Sequence, residues 1–349
     1  MAANGQGNQR AVIVIGASAG GVEALRTVAA GLPPELEAAV FVVLHLAAGG
    51  TSVLPEILER AGDLPAIHPD DGEEIENGCI YVAPPDHHLL VEDGNARIVR
   101  GPRENGHRPA IDTLFRSAAR VYGPRAVGVI LSGVLDDGAA GLAAVKAAGG
   151  HTVVQSPSDA LYDGMPLAAI EGTQPDHVVP AAEIAELLAK LVTEAATEPP
   201  ETATPGEEVL EESLVAVDRG STDQPQPGHP SGFTCPECNG ALWQADEAGV
   251  LRFRCRTGHQ FSVETLLAQQ SASVEAAMWS ALRALEERAA MLRRLAQRMS
   301  ARGNRRVATR YARVAEHTVQ HALTLRDALH AFHAPPEAED EDEPIEQVP

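Results

Sequence analysis

Short apolar runs alternate with amphipathic stretches through the first half of the chain. The apolar runs predict buried strands at Ala11–Ile15, Ala39–Leu44, Cys79–Ala83, Ala126–Leu131 and His151–Gln155. The amphipathic stretches predict helices at Val22–Ala30, Ser52–Ala61, Ala110–Tyr122, Ala139–Ala148 and Ala181–Leu191. This alternation predicts an α/β fold with a doubly wound, mostly parallel sheet. Two further runs, Leu89–Val91 and Ala96–Val99, flank Asp93-Gly94-Asn95 and predict a β-hairpin.

The last part of the chain has a different period. Its apolar residues are spaced alternately four and three apart, as in helices that pack along one stripe. The series are Met278, Leu282, Leu285, Ala289, Leu292, Ala296 and Met299, then Val307, Tyr311, Val314, Thr318, His321, Leu325, Ala328 and Phe332. Because Gly303-Asn304 separates them, the pattern predicts an antiparallel helical hairpin, or a coiled coil through which the protein self-associates.

Charge is distributed unevenly along the sequence. The whole chain has a formal net charge of −22, which argues against general nucleic-acid binding. Residues 231–333 are instead rich in arginine, which is more typical here of a solvated helix face or of contact with acidic segments of the same chain. No apolar run is long enough to span a bilayer, so we expect no membrane insertion. The polar N-terminus lacks a secretory signal, and we expect a cytoplasmic protein.

A glycine-rich turn, Gly16-Ala17-Ser18-Ala19-Gly20-Gly21, follows the first predicted strand directly. A serine on such a strand-to-helix turn projects at the carboxyl end of the sheet, beside N–H groups that can form an oxyanion hole. The same turn is also compatible with phosphate binding. It lacks the full dinucleotide-binding pattern and the Lys-Ser/Thr pair of a phosphate-binding loop, which weakens that alternative.

Candidate partners for this serine follow other predicted strands. His45 comes directly after the second strand, and Asp136 and Asp137 follow the strand that ends at Leu131. Because the carboxyl ends of neighbouring parallel strands share one crevice, these side chains can meet Ser18 as base and orienting carboxylate. Taken singly, His45 is also compatible with an ordinary loop histidine, and an aspartate here with a helix cap. The order Ser, His, Asp differs from that of the α/β-hydrolases.

Seven motifs resemble the catalytic domain of the CheB-type chemotaxis protein-glutamate methylesterases over about half the chain. They are Ile15–Gly21, Val43–His45, Tyr81–His88, His107–Phe115, Ala126–Gly133, Asp137–Leu142 and Gly164–Pro166. The resemblance implies that Ser18 is the nucleophile, His45 the base and Asp137 the triad carboxylate. It implies that the N–H groups of Ala19 and Val134 form the oxyanion hole.

The implied reaction is hydrolysis of glutamyl methyl esters on methylated chemoreceptors, with glutamine deamidation as a second activity and no cofactor for catalysis. Several positions depart from the family pattern. Ala19 stands where a threonine is typical, Val134-Leu135 replaces a Met-Gly pair, and Asp136 occupies a position that is more often neutral. His45 is followed by Leu46-Ala47-Ala48 instead of a proline-containing loop. An alternative function is therefore an inactive signalling scaffold whose C-terminal module binds a partner.

A second group of residues has the spacing of a metal site. Cys235 and Cys238 form a C-x2-C pair, and Cys255 and His259 a C-x3-H pair, with 16 residues between the pairs. Tight turns that carry three thiols and one imidazole predict a closed, tetrahedral zinc site of structural type. The alternative is three reduced thiols beside a chance histidine.

Composition divides the chain into six segments. We expect a disordered N-terminus at 1–10, a catalytic domain at 11–192, a disordered acidic linker at 193–230, a zinc ribbon at 231–268, a helical hairpin at 269–333 and a disordered acidic tail at 334–349. Family members usually carry an N-terminal receiver domain. The resemblance begins about ten residues into this chain, so we expect no receiver domain and regulation through another route.

Overall fold

The structure, a computed structural model, describes residues 11–45, 51–92, 94–195, 228–247 and 250–332. The predicted N-terminal segment 1–10, most of the predicted linker and the predicted acidic tail lie outside the described residues, as do Leu46-Ala47-Ala48 and Asp93. Residues up to Leu267 form one compact unit, and those from Ala268 onwards form a second. Among the described residues, no helix combines the length and hydropathy needed to cross a bilayer.

A seven-stranded parallel sheet forms the centre of the first unit. Its strands are β1 (Ala11–Ala17), β2 (Ala38–Leu44), β3 (Ala66–Ile67), β4 (Ile80–Val82), β7 (Ala126–Ile130), β8 (His151–Gln155) and β9 (His177–Val179). Their spatial order is β3-β4-β2-β1-β7-β8-β9, and every neighbouring pair is parallel. Strand β1 is therefore central, and the later strands lie outward from it on each side, which confirms the predicted doubly wound fold.

Helices cover both faces of this sheet. They are α1 (Gly21–Gly31), α2 (Leu54–Ala61), α3 (Ile111–Tyr122), α4 (Ala139–Ala147), α5 (Gly164–Thr173) and α6 (Ala181–Ala195). Alternate residues of β1 point to opposite faces: Ile13 packs with α1, α2 and α6, whereas Val14 packs with α3, α4 and α5. The predicted hairpin, β5 (His88–Val91) with β6 (Ala96–Val99), packs on the second face.

A small antiparallel sheet follows in the same compact unit. Its strands are β10 (His229–Thr234), β11 (Ala241–Glu247), β12 (Val250–Cys255) and β13 (Gln260–Phe261), in that spatial order. Cys235, Leu242, Phe253, Cys255, Phe261 and Leu266 form its core. This core is small compared with that of the sheet domain. We call residues 228–267 the ribbon.

Two long helices follow, α7 (Val263–Ala301) and α8 (Arg305–Phe332). A turn at Gly303, with φ of 77°, joins them. Met278, Leu282 and Leu285 of α7 contact Ala322, Leu325 and Leu329 of α8. The period of four and three predicted the three residues of α7 and Leu325, whereas Ala322 and Leu329 each lie one position after a predicted residue. The predicted helical hairpin is therefore present. Helix α7 begins at Val263, before the regular apolar pattern starts at Met278.

Candidate functional site

Ser18 lies on the sharp turn between β1 and α1. Its N–H donates to the carbonyl of Ser132 (3.0 Å), and its own carbonyl accepts from Gly21 N–H (2.9 Å). Gly20 permits the turn because it has φ of 71°, and a Cβ there would lie 2.8 Å from Leu161 Cβ. A Cβ at Gly133 would lie 2.9 Å from Ser18 Cβ. The two glycines therefore make room for a half-buried serine at the carboxyl edge of the sheet.

His45 lies beside Ser18 because of strand register. β1 and β2 pair Ala17 with Leu44, so Ser18 and His45 are the next residues of adjacent parallel strands. The imidazole Nε2 lies 2.8 Å from Asp137 Oδ2, and Nδ1 is buried without a hydrogen-bond partner among the described residues. Asp137 favours the tautomer with the proton on Nε2, which leaves the lone pair on Nδ1 free to accept a proton. Between the described side chains of Ser18 and His45, no hydrogen bond is formed.

Asp137 is buried at the start of α4 and accepts four hydrogen bonds. Oδ2 accepts from His45 Nε2 and from Ile111 N–H (2.8 Å), and Oδ1 accepts from Asn105 Nδ2 (2.8 Å) and Asp112 N–H (3.3 Å). Burial raises the pKa of this carboxyl, but the hydrogen bond and charge of His45 outweigh it, so the pKa of Asp137 lies well below its ordinary value. The group is an anion fixed against one edge of the imidazole.

Asp136 has a different set of contacts, although it is adjacent in sequence. Its Oδ1 accepts from the hydroxyls of Ser262 (2.8 Å) and Thr265 (3.0 Å). Both hydroxyls belong to the end of the ribbon and the start of α7. Of the two aspartates in this loop, Asp137 therefore contacts His45, and Asp136 contacts the ribbon.

The two candidate oxyanion donors flank Ser18. The N–H groups of Ala19 and Val134 donate no hydrogen bond within the described part of the chain, which is a property that an oxyanion donor requires. The loop that carries Val134 is held by Gly133 N–H on Tyr162 O (3.0 Å) and by Met165 N–H on Gly133 O (2.9 Å). Leu135 has φ of 61°, which is costly for a branched side chain and shows that this loop is tightly constrained.

His107 and Asn105 also belong to this site, and sequence reasoning missed both as functional residues. The His107 ring stacks on His45 with centroids 3.7 Å apart and an angle of 6°. Burial, and then the charge of His45, lower the pKa of His107 to about 4, so His107 is neutral at pH 7. The Asn105 amide donates to both Asp112 (3.0 Å) and Asp137 (2.8 Å). The dipeptide Asn105-Gly106 predicts a turn. The sequence does not predict which residues Asn105 contacts, because those residues lie on other elements.

Behind Asp137 lies a buried cluster of charged groups. Arg116 donates to both oxygens of Glu104 (2.9 and 2.7 Å), and Arg252 contacts Glu104 and, at 3.1 Å, Asp112. Although burial raises the pKa of Glu104, the charges of Arg116 and Arg252 lower it to about 2. Burial, opposed by Arg252, raises the pKa of Asp112 to about 6. This cluster joins the sheet domain to the ribbon through ionic contacts.

The four residues with metal-site spacing come together in the ribbon. Their candidate ligand atoms all lie within 4.8 Å of one another. His259 Nδ1 is 3.7 Å from Cys235 Sγ and 3.5 Å from Cys255 Sγ, and Cys238 Sγ is 3.6 Å from Cys255 Sγ. A tetrahedron with Zn–S bonds of about 2.3 Å has edges of about 3.8 Å, so the donor set and its spacing fit a tetrahedral metal. These residues lie close enough to bind one ion.

The comparisons with known proteins agree on the sheet domain. A family model described as CheB methylesterase matches residues 13–188. A relative from Leptospira interrogans is 42% identical over 180 residues, 51% of this chain and 93% of the relative. A protein-glutamate methylesterase/protein-glutamine glutaminase from Geobacillus kaustophilus is 39% identical over 53% of this chain, and this chain spans 55% of its length. The crystal structure of the Thermotoga maritima CheB methylesterase catalytic domain has a TM-score of 0.51 at 34% identity and covers 52% of this chain and 99% of that one.

Proposed function

Because the chain belongs to the CheB methylesterase family, we propose that residues 11–192 form a serine hydrolase that removes methyl esters from glutamyl side chains of chemoreceptor-type signalling proteins. The observation that carries this proposal is the His45–Asp137 pair beside Ser18, inside the matched domain. The names of the relatives also support glutamine deamidation as a second activity of the same site. Catalysis by such a triad requires no cofactor.

The reaction proceeds through an acyl-enzyme. Ser18 Oγ attacks the ester carbonyl while His45 Nδ1 accepts its proton, and Asp137 stabilises the imidazolium that forms. The N–H groups of Ala19 and Val134 bind the oxyanion. His45 returns the proton to the leaving methoxide, methanol departs, and water hydrolyses the glutamyl–Ser18 ester by the same steps. With a glutamine substrate, ammonia leaves in place of methanol.

The surroundings of Ser18 favour a protein substrate. Val134, Leu161 and Tyr162 are 46%, 74% and 47% exposed. Leu161 lies beside Gly20, and the carbonyl of Tyr162 accepts from Gly133, so this apolar surface borders the serine. Exposed apolar surface of this kind is typical of protein-binding sites. We infer that the partner is a methylated chemoreceptor or a related signalling protein in the cytoplasm.

We also infer that the metal in the ribbon is a structural zinc ion. Three thiolates and one imidazole are ligands that zinc prefers, and all four positions are filled by side chains, so none is left for substrate. Such an ion supplies folding free energy to a module with a small core. Self-association through the helical hairpin stays a prediction.

The experiment that tests the catalytic proposal is methanol release from a methylated chemoreceptor fragment. The full-length protein would be compared with Ser18→Ala and His45→Ala, and with Ser273→Ala, which removes an exposed hydroxyl on α7, as the matched control. We expect release by the wild type and by Ser273→Ala, and loss of at least about 10³-fold in the other two.

The scaffold alternative makes the opposite prediction. It is favoured by Leu135, whose left-handed backbone conformation strains the loop of the proposed oxyanion donor Val134. If folded wild-type protein releases no methanol from several methylated receptors, the proposed hydrolase function is wrong and the scaffold function stands.

A further inference from the structure

The ribbon forms backbone hydrogen bonds with the loop that borders the candidate active site. Asn105 N–H donates to Gln260 O (2.8 Å), and Gln260 N–H donates to Arg103 O (3.3 Å), so strand β13 pairs in parallel with this loop at Glu104. Within the loop, Glu104 and His107 exchange two backbone hydrogen bonds (3.1 and 2.8 Å). This loop also carries His107, whose ring stacks on His45. The loop is therefore hydrogen-bonded to the edge of the ribbon sheet.

Arg252 of β12 reaches into the buried charge cluster behind Asp137. Its side chain is 4% exposed and contacts Glu104, 1% exposed, and Asp112, which is fully buried. Without Arg252, the carboxyls of Glu104, Asp112 and Asp137 would remain buried close to one another. Arg116 would still contact Glu104. Uncompensated buried carboxylates either take up protons or move towards solvent. Arg252 therefore balances charge inside the sheet domain.

Asn105 connects this cluster to the triad carboxylate. Its amide nitrogen donates to Asp112 and Asp137, and its amide oxygen accepts from Ser262 N–H of the ribbon (3.0 Å). With the bond from Asn105 N–H to Gln260, the ribbon holds both the backbone and the side chain of Asn105. The orientation of the Asn105 amide fixes Oδ1 of Asp137, and hence the oxygen that His45 contacts.

The ribbon also contacts Asp136, the residue that directly precedes Asp137. Ser262 and Thr265 donate to Asp136, the residue that departs from the family pattern towards a charge. Ser262 also accepts from Thr265 N–H (3.0 Å), so it caps the first turn of α7 and is itself fixed. Among the described residues, the side-chain hydrogen-bond donors to the Asp136 carboxylate, Ser262 and Thr265, both belong to the ribbon.

The candidate metal ligands lie next to these contacts. Arg252 precedes Cys255 by three residues on the same strand, and Gln260 directly follows His259. Glu237, between the first two cysteines, forms an ion pair with Arg103 (3.4 Å). The turns that would hold the metal are therefore the turns that place Arg252 and Gln260.

We propose that the ribbon positions the side chains of the active site. In this proposal Arg252 is a positioning residue that acts on Asp137 and His45 through Asp112 and Asn105. The proposal rests on the proposed hydrolase function for its kinetic consequences only. Its structural consequence, a His45–Asp137 contact that depends on Arg252 and on the folded ribbon, holds whatever the substrate is. The metal would take no part in the reaction and would act by folding the ribbon.

The first test compares Arg252→Gln and Arg252→Lys in the full-length protein with Arg283→Gln, which removes an exposed arginine of α7 that pairs with Glu287. The structural readout is the downfield proton resonance of the His45 imidazole N–H, assigned by its loss in His45→Gln. We expect Arg252→Gln to weaken or abolish this resonance and to lower kcat about 10- to 100-fold with little change in KM. Arg252→Lys keeps the charge but not the two-carboxylate contact, and should fall in between.

Ser262→Ala keeps the test decisive if Arg252→Gln does not fold. It removes one hydroxyl from the contact with Asp136 and should give a smaller change of the same kind. If a folded Arg252→Gln or Ser262→Ala protein behaves as Arg283→Gln does in both the resonance and kcat, the positioning role is wrong. If the wild type releases no methanol but the resonance still depends on Arg252, the hydrolase function fails and the structural inference stands.

The second test removes the metal from the full-length protein with a zinc chelator and then restores Zn²⁺. We expect the His45 resonance to be lost and limited proteolysis to cut within residues 228–267, and both changes to reverse with Zn²⁺. Turnover should follow the same course. A chelated protein, shown by metal analysis to be zinc-free, that keeps the His45 resonance would overturn the link between metal and active site.

Discussion

At the scale of single residues, the site depends on which edge of His45 is occupied. Asp137 contacts Nε2, Nδ1 has no hydrogen-bond partner among the described residues, and His107 covers the face of the ring. Hydrogen bonds from Ile111 and Asn105 hold the carboxylate in place, so it cannot rotate away from the imidazole. The geometry therefore assigns different roles to two adjacent aspartates.

Asp137→Asn and Asp136→Asn test that assignment. Asp137→Asn removes the anion that selects the His45 tautomer, and we expect kcat to fall about 10³- to 10⁴-fold, as for carboxylate-to-amide changes in other serine triads. Asp136→Asn alters only the contact with Ser262 and Thr265, and should cost far less. Equal losses in methanol release for the two variants would contradict the assignment.

His107 makes the stability of the protein dependent on pH. Its pKa is about 4 in the folded state, below the ordinary 6.5, so the unfolded state binds more protons between these values. The contribution of neutral His107 to stability is therefore fully present above pH 6.5 and is lost as pH falls towards 4, with an upper limit of about 3 to 4 kcal/mol. In denaturant unfolding at several pH values, His107→Gln should show a shallower loss across this window. An unchanged slope would show that His107 is not held neutral by folding.

For helices and strands, the sequence predicts those elements that have a clear hydrophobic period, and the order of the strands predicts which residues meet at the edge of the sheet. β1, β2 and β7 are continuous apolar runs, and because they are neighbours in the sheet, Ser18, His45 and Asp137 lie at the same edge. β3 and β9 were missed because they have two and three residues. Helix α5 was missed because glycine, alanine and proline give it no clear amphipathic period. Asn105, His107 and Arg252 could not be predicted as a group because loops and a second sheet bring them together.

Two helix glycines test the packing of these elements. A Cβ at Gly141 of α4 would lie 2.6 Å from Phe115 Cβ and 3.0 Å from Asp112 Cα, whereas one at Gly172 of α5 would meet nothing within 4 Å. We expect Gly141→Ala to lower the free energy of unfolding by about 1 to 3 kcal/mol because α3 must shift. Gly172→Ala should raise it by up to about 1 kcal/mol through helix propensity. Chemical denaturation that shows the same sign for both would contradict this packing.

At the scale of the whole molecule, the ribbon belongs to the compact unit of the sheet domain, and the helices from Ala268 onwards form the other. The resemblance to the family ends near residue 188, yet the structure continues the first unit to Leu267. Composition alone suggested a chain of separate segments, because an ion pair between residues 104 and 252 leaves no periodic trace in the sequence.

Truncation tests where the stable unit ends. A fragment of residues 1–267 keeps Arg252 in the buried cluster, whereas a fragment of residues 1–195 leaves Glu104 and Asp112 without it. We expect the shorter fragment to be less stable by an amount on the order of 3 kcal/mol, because one partner of buried ion pairs is lost. Thermal and urea unfolding of the two fragments would measure this difference. Equal stability would mean that the ribbon contributes nothing to the sheet domain.

Labelling by a fluorophosphonate, followed by peptide mass spectrometry, tests whether His45 and Asp137 activate Ser18. Such reagents phosphonylate a serine hydroxyl, with loss of fluoride, where a neighbouring base activates that hydroxyl. We expect a single label on the peptide that contains Ser18 in the wild-type protein, and no label in His45→Ala. An unlabelled Ser18 in folded wild-type protein, or equal labelling in His45→Ala, would contradict the activation of Ser18 by His45 and Asp137.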